Sequence, residues 1–412
     1  MPDRKLRVLT ISSHPIQYGA PLFRLMAKHP KLDFQVAYCS LRGADSAAYD
    51  PEFGANVQWD VPLLDGYKWT HIPNRGDGAE SFWAWRNTGL WNFIHRGNFD
   101  AVISHISYTR ATFWIAYLAA RTKRIPFIFG TDASSIQPRD ASKLKLAAKK
   151  FIWPAVFGLA GQILTASSAG RDMMISLGFP PDRVSMTLDT VDNDWWLAQA
   201  NSVDREEARK QLGFAPQEKI ILFCAKLQPW KRPLDLLQAF ATAAIPHAKL
   251  VFAGDGAQRA ELETEAAARN IANKVQFLGF VNQSQLPVLY KSADVMVIPS
   301  SYEPFGLVVN EAMLCGCPVI ASDRVGAVRD LIAHGETGYI SPCGDIPALS
   351  STLRAALQNS AAVTSIRTNA LAKIRTWSPQ ASAEALVTAV ETAIARRRPN
   401  SEVVAVSSEK YT

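Results

Sequence analysis

The chain has 412 residues, of which 48% are hydrophobic and 20% charged, and its mean hydropathy is −0.03. This length predicts two or three domains, and the composition excludes both a metal-stapled miniprotein and extensive disorder. The net charge of +7 favours anionic ligands or an acidic membrane surface. It is too small an excess for a typical nucleic-acid-binding protein, so nucleic acid is not an expected partner.

Short apolar runs alternate with helix-like segments along most of the chain, which is typical of parallel sheets covered by helices on both faces. The fold class is therefore α/β, with one Rossmann-like, doubly wound domain in each half of the chain. In the first half the predicted strands are Leu6–Ser12, Phe34–Tyr38, Ala101–Ser104, Phe127–Phe129, Gln162–Thr165 and Val184–Thr187. In the second half they are Ile220–Cys224, Leu250–Ala253, Val275–Leu278, Val295–Ile298 and Val319–Ala321.

A charged segment, Ser202–Lys219, separates the two sets of strands. We therefore predict an N-terminal domain over residues 1–200 and a C-terminal domain over residues 201–378. Residues 379–398 predict a helix that returns toward the N-terminal domain, and residues 399–412 predict a flexible tail.

The cysteine content and the first apolar run indicate the cellular compartment of the protein. Five cysteines without C-x-x-C spacing argue against a disulfide framework and against a structural zinc site. The first apolar run is too short for a signal peptide. The uncharged stretch Phe151–Gly170 is as long as a membrane span, but its proline, glycines and serines predict a helix end, a turn and a buried strand. We expect a cytoplasmic protein.

The richest motif follows the strand Val295–Ile298, where ligands of doubly wound sheets bind. The loop PSSYEPFG leads into a helix that begins near Leu307, so backbone N–H groups and the positive helix end form an anion site facing the crevice. Two carboxylates, Glu303 and Glu311, are placed to hold polyol groups on either side of a bound phosphate. In the alternative interpretation Glu303 caps the helix and Glu311 points to solvent.

A second motif, AKLQPWKRP, follows the strand Ile220–Cys224. Lys226 and Lys231 flank its Pro-Trp turn, and a helix follows, which is where phosphate-binding cations belong. Solvated surface lysines are the alternative.

These two motifs belong to a longer pattern that resembles the C-terminal half of the family-four retaining glycosyltransferases. The pattern consists of Lys226 and Lys231-Arg-Pro, LVFAGDG (Leu250–Gly256), QFLGFV (Gln276–Val281) and ADVMVIPSSYEPFGLVVNEAMLCGCPVIAS (Ala293–Ser322). The resemblance covers about residues 205–345 strongly and the N-terminal half more weakly. It implies the GT-B fold, in which two Rossmann-like domains face each other across a crevice and hold a nucleotide sugar between them.

The resemblance also implies roles for individual residues. Glu311 would bind the ribose hydroxyls and Glu303 the hydroxyls of the donor sugar, while Lys226 and Lys231 neutralise the diphosphate. Further donor-binding residues implied in this way are Phe305, Gly306 and Leu307, through their backbone, and Val281, near the base. No metal site is evident, so no metal or other cofactor is expected, and the lysines and helix end would stabilise the departing nucleoside diphosphate.

In the first half, His105 ends the strand Ala101–Ser104 and resembles the family histidine that faces the reacting sugar. The resemblance thus implies four catalytic residues, which are His105, Glu303, Lys226 and Lys231. A structural histidine at a strand end is the alternative. Gly19 is also implied as a donor-binding residue, since it stands where the family commonly has two glycines. His14 and Gln17 are acceptor-site candidates.

A lysine-rich segment, Asp140–Trp153, raises the question of a membrane surface. If it is helical, Leu144 and Phe151 share one face, and the opposite face carries Trp153 among lysines. The lysines are Lys143, Lys145, Lys149 and Lys150. Such a face suits an anionic bilayer, and a solvated helix packed on the sheet is the alternative.

Together, these features predict a retaining glycosyltransferase. It would transfer a sugar from a UDP- or GDP-sugar to a hydroxyl of a glycan or lipid-linked acceptor, in the synthesis of cell-surface polysaccharide. A nucleotide-sugar epimerase or hydrolase of the same fold and a non-catalytic nucleotide-sugar-binding subunit are the alternatives. The lysine-rich segment extends the expected cytoplasmic location to a peripheral position on the inner face of the cell membrane.

Overall fold

The protein is described here from a computed structural model, which covers residues 4–44, 47–50, 52–79, 81–138, 140, 142–358 and 360–397. Its described residues form two parallel sheets, each flanked by helices, and one small hairpin. The predicted α/β class with two Rossmann-like halves is confirmed.

The first sheet has seven strands in the order β5-β2-β1-β6-β7-β8-β9, and every neighbouring pair is parallel. The strands are β1 (Leu6–Ser12), β2 (Leu32–Tyr38), β5 (Lys68–His71), β6 (Ala101–Ser104), β7 (Phe127–Thr131), β8 (Gln162–Thr165) and β9 (Val184–Met186). The helices between them are α1 (Gly19–Lys28), α2 (Gly89–Arg96), α3 (Ala111–Thr122), α4 (Lys143–Gly158) and α5 (Ser168–Ser176). The apolar runs of the central strands are buried on both faces.

The second sheet has six parallel strands in the order β12-β11-β10-β13-β14-β15. They are β10 (Lys219–Cys224), β11 (Ala248–Ala253), β12 (Val275–Gly279), β13 (Val295–Ile298), β14 (Val319–Ser322) and β15 (Tyr339–Ser341). The helices of this half are α6 (Asn193–Ser202), α7 (Arg205–Gln211), α8 (Pro233–Ala243), α9 (Arg259–Ala268), α10 (Leu286–Ser292), α11 (Val308–Leu314), α12 (Val328–Leu331), α13 (Ile346–Gln358) and α14 (Ser360–Thr376).

The remaining strands, β3 (Ala48–Asp50) and β4 (Ala55–Val57), form an antiparallel hairpin outside both sheets. Phe53 and Trp59, from this part of the chain, pack against Phe280 of the second half, with ring centroids 5.1 and 6.2 Å apart. We call residues 48–50 and 52–60 the crossing hairpin, because they leave the first domain and lie on the second.

The chain passes between the halves twice, and the two passages are joined by hydrogen bonds. Asn193 donates to the carbonyl of Trp377 (3.2 Å), and Trp377 Nε1 donates to the carbonyl of Asp189 (2.7 Å). The final helix, α15 (Pro379–Ala395), then packs its apolar side chains into the core of the first sheet. Residues 398–412, which include the predicted tail, lie outside the described residues.

The second core begins before the predicted boundary at residue 200. Trp196 and Ala200 of α6 are buried with Tyr290 and Met313 of the second half. The stretch Phe151–Gly170 contains the end of α4, a turn, strand β8 and the first turn of α5. None of the helices that the structure describes is long and apolar enough to cross a bilayer.

Candidate functional site

The carboxyl ends of β1 and β10 lie on opposite sides of a crevice. The predicted donor-site residues are on the β10 side, except Gly19, which begins α1 on the β1 side. A cavity of about 100 Å³ opens between Gln17 and Tyr18, which follow β1, and Ala225, which follows β10. The same cavity is lined by Phe53, Trp59, Cys224, Ala253, Gly254, Phe280, Val281, Gln283, Leu286, Val308 and Glu311. The predicted residues Glu311 and Val281 therefore share one cavity.

Glu311 lies in the middle of α11 and is 3% exposed. Its carboxyl accepts a hydrogen bond of 2.8 Å from the Tyr290 hydroxyl. Burial raises the pKa of Glu311 to about 8, although the Tyr290 hydrogen bond acts in the opposite direction. The alternative of a solvent-facing Glu311 is therefore wrong, and its position suits a carboxyl that exchanges a protein partner for hydroxyl groups of a ligand.

Glu303 and Lys231 form an ion pair in which both side chains are largely buried. The alternative of Glu303 as a helix cap does not hold, because α11 begins at Val308 without a side-chain cap. The pair places one anion and one cation side by side at the crevice, where each can bind a different group of a polar ligand.

Lys226 is paired across the crevice with the crossing hairpin. Its Nζ lies 3.0 Å from Asp50 Oδ2, 2.8 Å from Glu52 Oε2 and 4.8 Å from the centre of the Phe53 ring. Burial raises the pKa of Asp50, but Lys226 and the backbone N–H groups of Glu52 and Phe53 lower it more, so the pKa lies below its usual value. Lys226 is therefore not a solvated surface lysine.

The loop between Glu303 and Leu307 is fixed by the neighbouring segment. Gly306 has φ of +100°, which a side chain would strain, and Leu307 lies immediately before α11. The Phe305 ring is buried and stacks on Trp377 at 5.7 Å between centroids, so any contact of Phe305 with a ligand is made by its backbone. Gly326 N–H donates to the Glu303 carbonyl (3.0 Å), and a Cβ at Gly326 would overlap the Pro304 carbonyl.

His105 follows β6 at the first domain's side of the crevice and is accessible. Its imidazole hydrogen-bonds to none of the residues that the structure describes, and a Cβ on Gly130 would lie 2.5 Å from its Nδ1. Desolvation in the crevice lowers the pKa of His105 below its usual value, which favours a neutral imidazole. The accessible ring can therefore donate or accept a hydrogen bond with a ligand.

The other residues predicted in the first half lie between β1 and α1. His14 Nδ1 is 2.9 Å from the Ser13 hydroxyl, and burial together with Arg42 lowers the pKa of His14 to about 4, against the effect of Asp50. Gly19 begins α1. Gln17 is buried and lines the cavity that contains Glu311, so the acceptor candidate Gln17 lies on the donor-side cavity.

A second, more open cavity of about 700 Å³ lies between α4 and the loop around Trp230. It is lined by Pro138, Asp140, Lys145, Lys149, Pro229, Trp230 and Ser301. On α4 itself, Leu144 and Phe151 are 81% and 82% exposed, while Trp153 is buried and donates to the Tyr108 hydroxyl (3.0 Å). The prediction that Trp153 lies on an exposed, lysine-lined face is therefore wrong, because Trp153 packs in the core. The exposed apolar side chains of α4 are Leu144 and Phe151.

Sequence reasoning missed the residues that contact Lys226 from distant positions in the sequence. Asp50, Glu52 and Phe53 contact Lys226 across more than 170 positions, and no local pattern connects them. The residues between Tyr49 and Val57 do carry a hairpin signal, with Asp50 and Gly54 at turn positions. In the described ranges no three His, Cys, Asp or Glu side chains come together as a metal-ligand set.

Two family models match the chain, one on each half. The model described as Glycosyltransferase Family 4 matches residues 22–194, and the model described as Glycosyl transferases group 1 matches residues 204–373. The C-terminal match contains the two lysines and two glutamates of the crevice.

Curated relatives match part of the chain. An uncharacterized glycosyltransferase of Methanocaldococcus jannaschii is 38% identical over 180 residues, which are 43% of this chain and 46% of the relative. The N-acetyl-alpha-D-glucosaminyl L-malate synthase of Bacillus anthracis is 36% identical over 34% of this chain and 37% of the relative. A D-inositol 3-phosphate glycosyltransferase of Corynebacterium glutamicum is 30% identical over 56% of this chain and 57% of the relative. The chain thus spans about half the length of the curated relatives it matches.

Solved structures match nearly the whole chain. Anabaena HepE in complex with UDP and glucose has a TM-score of 0.71 at 19% identity and covers 94% of this chain and 100% of HepE. A glycosyltransferase from Rickettsia africae has a TM-score of 0.73 at 17% identity, over 95% and 99% of the two chains. These likenesses establish the fold. One family model matches each half of the chain, and the solved structures share its two-domain architecture. The chain therefore belongs to the group 1 and family 4 glycosyltransferases of the GT-B fold.

Proposed function

We propose that the protein is a retaining glycosyltransferase that transfers a sugar from a UDP- or GDP-sugar to a hydroxyl group. The observation that carries this proposal is the buried carboxyl of Glu311 in a cavity at the strand ends, whose lining includes Ala225, the residue before Lys226. A carboxylate, two cations and a second carboxylate suit the ribose, the diphosphate and the sugar of such a donor. HepE, which shares the fold, was solved with UDP and with UDP-glucose.

In this proposal Glu311 accepts hydrogen bonds from the ribose hydroxyls, and the base lies near Val281. The diphosphate lies between Lys226, Lys231 and the backbone at Gly306. Glu303 binds hydroxyls of the transferred sugar from one side, and His105 approaches that sugar from the other domain.

The transfer step that we propose uses these groups without a metal ion. The bond between the anomeric carbon and the phosphate oxygen breaks, and the acceptor hydroxyl forms the new bond on the same face. The acceptor proton passes to an oxygen of the departing diphosphate. Lys231 and Lys226 stabilise the negative charge that develops on this diphosphate, which is the role a divalent cation has in other enzymes.

Calorimetry with UDP, GDP and ADP in the presence of EDTA tests the donor site. We expect one nucleotide to bind selectively, and Glu311→Gln to weaken that binding by roughly tenfold, because the amide offers one acceptor oxygen to two ribose hydroxyls and a lost hydrogen bond costs up to ~1.5 kcal/mol. Glu206→Gln, an exposed glutamate in the first turn of α7, is the control and leaves binding unchanged. If no nucleotide binds wild type, the nucleotide-sugar proposal is wrong.

Turnover distinguishes this function from its alternatives. Transfer to a glycan acceptor with the α-configuration of the donor retained supports the proposal. Rapid release of free sugar or a changed epimer in the absence of acceptor points to a hydrolase or epimerase. Donor binding with no product from any acceptor points to a non-catalytic subunit.

We place the acceptor in the 700 Å³ cavity beside α4, which Lys145, Lys149 and Trp230 line together. Cations beside an aromatic ring suit a glycan that carries an anionic group, and exposed Leu144 and Phe151 on the same helix suit a lipid surface. We therefore propose a glycan or lipid-linked acceptor, with α4 resting on the anionic inner face of the cell membrane.

Flotation with vesicles of neutral and anionic lipid tests the membrane surface. We expect binding to anionic vesicles that falls with salt and is lost in Phe151→Ser combined with Lys150→Glu. The matched control changes Trp83, an exposed aromatic outside α4, to Ser and retains binding. Equal recovery with neutral and anionic vesicles would contradict the proposed surface.

A further inference from the structure

The crossing hairpin lies over the donor site that we propose. Besides its contacts to Lys226, the Glu52 carbonyl accepts from Gln228 (2.6 Å) and the Gln58 carbonyl from Asn282 (2.7 Å). Asp60 accepts from the N–H of Ser284 (3.2 Å). The hairpin is therefore held on the second domain at its turn and at its C-terminal end.

The hairpin places the carboxylates of Asp50 and Glu52 where the proposed donor would place its diphosphate. Lys226 Nζ has three carboxylate oxygens of Asp50 and Glu52 within 3.2 Å, and anionic oxygens are also what a lysine binds on a phosphate group. Asp50 is held in this position by its own turn, since its Oδ1 accepts from the backbone N–H groups of Glu52 (2.8 Å) and Phe53 (3.1 Å).

The hairpin also reduces the space for a ligand. Phe53 and Trp59 line the cavity that contains Glu311 and pack against Phe280 on its wall. The cavity that remains is about 100 Å³, whereas ligand pockets are typically ~300–1,000 Å³. A nucleoside diphosphate therefore requires that the hairpin moves.

The two lysines of the site differ in what holds them. Lys231 pairs with Glu303 of its own domain, which the proposed donor also contacts, so this pair can remain in place around a bound sugar nucleotide. Lys226 pairs with carboxylates of the other domain. Release of Lys226 therefore separates a contact between the two domains.

We propose that the crossing hairpin is a self-inhibitory lid whose carboxylates occupy the diphosphate position on Lys226, so that the nucleoside diphosphate of the donor binds by displacing Asp50 and Glu52. This inference rests on the proposed function, because it takes the ligand of Lys226 to be a diphosphate. The lid lowers the apparent affinity for the donor, because only the molecules in which Lys226 is released can bind the diphosphate. It also makes the phosphate groups, rather than the base, the part of the ligand that opens the site.

The test compares ligands with and without phosphate on a double variant, Asp50→Asn with Glu52→Gln. Asparagine keeps the oxygen that accepts from the turn, so the hairpin retains its shape while its charge is lost. Calorimetry is carried out with UDP and GDP and with uridine and guanosine. We expect the nucleoside diphosphate to bind about three- to tenfold more tightly to the variant. The nucleoside should gain less, because it also needs the hairpin to move but does not use the position on Lys226.

Asp60→Asn is the matched control, because Asp60 fastens the same hairpin to Ser284 and forms no ion pair with a lysine in the described part of the chain. It changes the affinities for diphosphate and nucleoside by the same factor. In wild type, hydrogen exchange at residues 48–57 increases when the nucleoside diphosphate binds, since the pairing of the hairpin with the second domain is lost.

Two results overturn the lid. One is a diphosphate affinity that is equal or weaker in the Asp50 and Glu52 variant, and the other is increased protection of residues 48–57 in the presence of the diphosphate. If neither UDP nor GDP binds wild type or either variant, the donor site itself is wrong, and the failure lies with the proposed function.

Discussion

The two sheets share the strand order of a Rossmann domain, but they build their sides of the crevice differently. In the second domain Lys226, Lys231 and Glu303 all lie within a few residues of a strand end, and Glu311 lies on the following helix. In the first domain the segment between β2 and β5 extends from residue 39 to residue 67 and includes the crossing hairpin.

This difference separates a fixed half of the site from an adaptable half. The loop before α11 is held by backbone hydrogen bonds to Gly326 and Ala327 (3.0 and 2.8 Å), and its charged side chains are paired. The first domain instead reaches the site through an accessible histidine and a hairpin that belongs to neither sheet. Loops positioned on a rigid scaffold commonly carry specificity, so we expect donor binding to depend on the second half and acceptor choice on the first.

Gly326→Ala has the largest expected effect, because it acts on the loop that forms the fixed half of the site. The new Cβ overlaps the Pro304 carbonyl, so the loop that carries Glu303 and Gly306 must shift. We expect nucleotide binding to fall below detection in calorimetry and the free energy of unfolding to fall by about 2 kcal/mol. Gly158→Ala, at the end of α4 with no atom within 4 Å of the added Cβ, is the control. An unchanged dissociation constant in Gly326→Ala would show that the loop is not fixed.

Lysine substitutions test the fixed half against the hairpin. Lys231→Ala should lower kcat on the order of a hundredfold, because a preorganised charge on the leaving group is lost. Lys226→Ala should lower it only about tenfold, since loss of this cation also removes the anchor of the crossing hairpin. Steady-state kinetics at saturating donor measure both. Unchanged turnover in Lys231→Ala argues against its assignment.

The pH dependence of stability tests whether Glu311 is buried as described. Its pKa is about 8 in the folded chain and near 4.5 in the unfolded chain, so the folded state binds more protons between these values. Stability is therefore highest below the lower value and falls as the pH rises toward the upper one, by at most about 1.4 kcal/mol per pH unit. Chemical denaturation between about pH 5 and 9 should show wild type losing stability relative to Glu311→Gln as the pH rises toward about 8, because glutamine does not titrate. A constant difference contradicts a buried Glu311.

Gly130→Ala has the smallest expected effect and acts on the adaptable half alone. The added Cβ displaces the His105 ring, which can rotate, so kcat should fall on the order of tenfold while the dissociation constant of the nucleotide is unchanged. Steady-state kinetics of Gly130→Ala, His105→Ala and the double variant measure this loss of kcat. If Gly130→Ala still lowers kcat in the His105→Ala background, its effect does not pass through His105.

The sequence predicted the second half more completely than the first, and the reason is physical. All eleven predicted strands are present, because buried parallel strands leave continuous apolar runs. Strand β5, Lys-Trp-Thr-His, was missed because it is an edge strand with exposed side chains, and β15 because it has only three residues. The carboxylates and lysines after β10 and β13 lie in local motifs and were identified. The contacts of Asp50, Phe53 and Trp59 depend on how two domains meet, which no local pattern encodes.

Helix α15 has a consequence for how the chain is made. Its buried side chains, among them Leu386, Val387 and Val390, complete the core beneath Val8, Phe34 and Ile128 of the first sheet. Synthesis from the N-terminus therefore releases the first domain with this face uncovered, and some two hundred residues later supplies what covers it. We expect the second domain to finish folding first, although it is made last, and the N-terminal domain to depend on chaperones until α15 has left the ribosome.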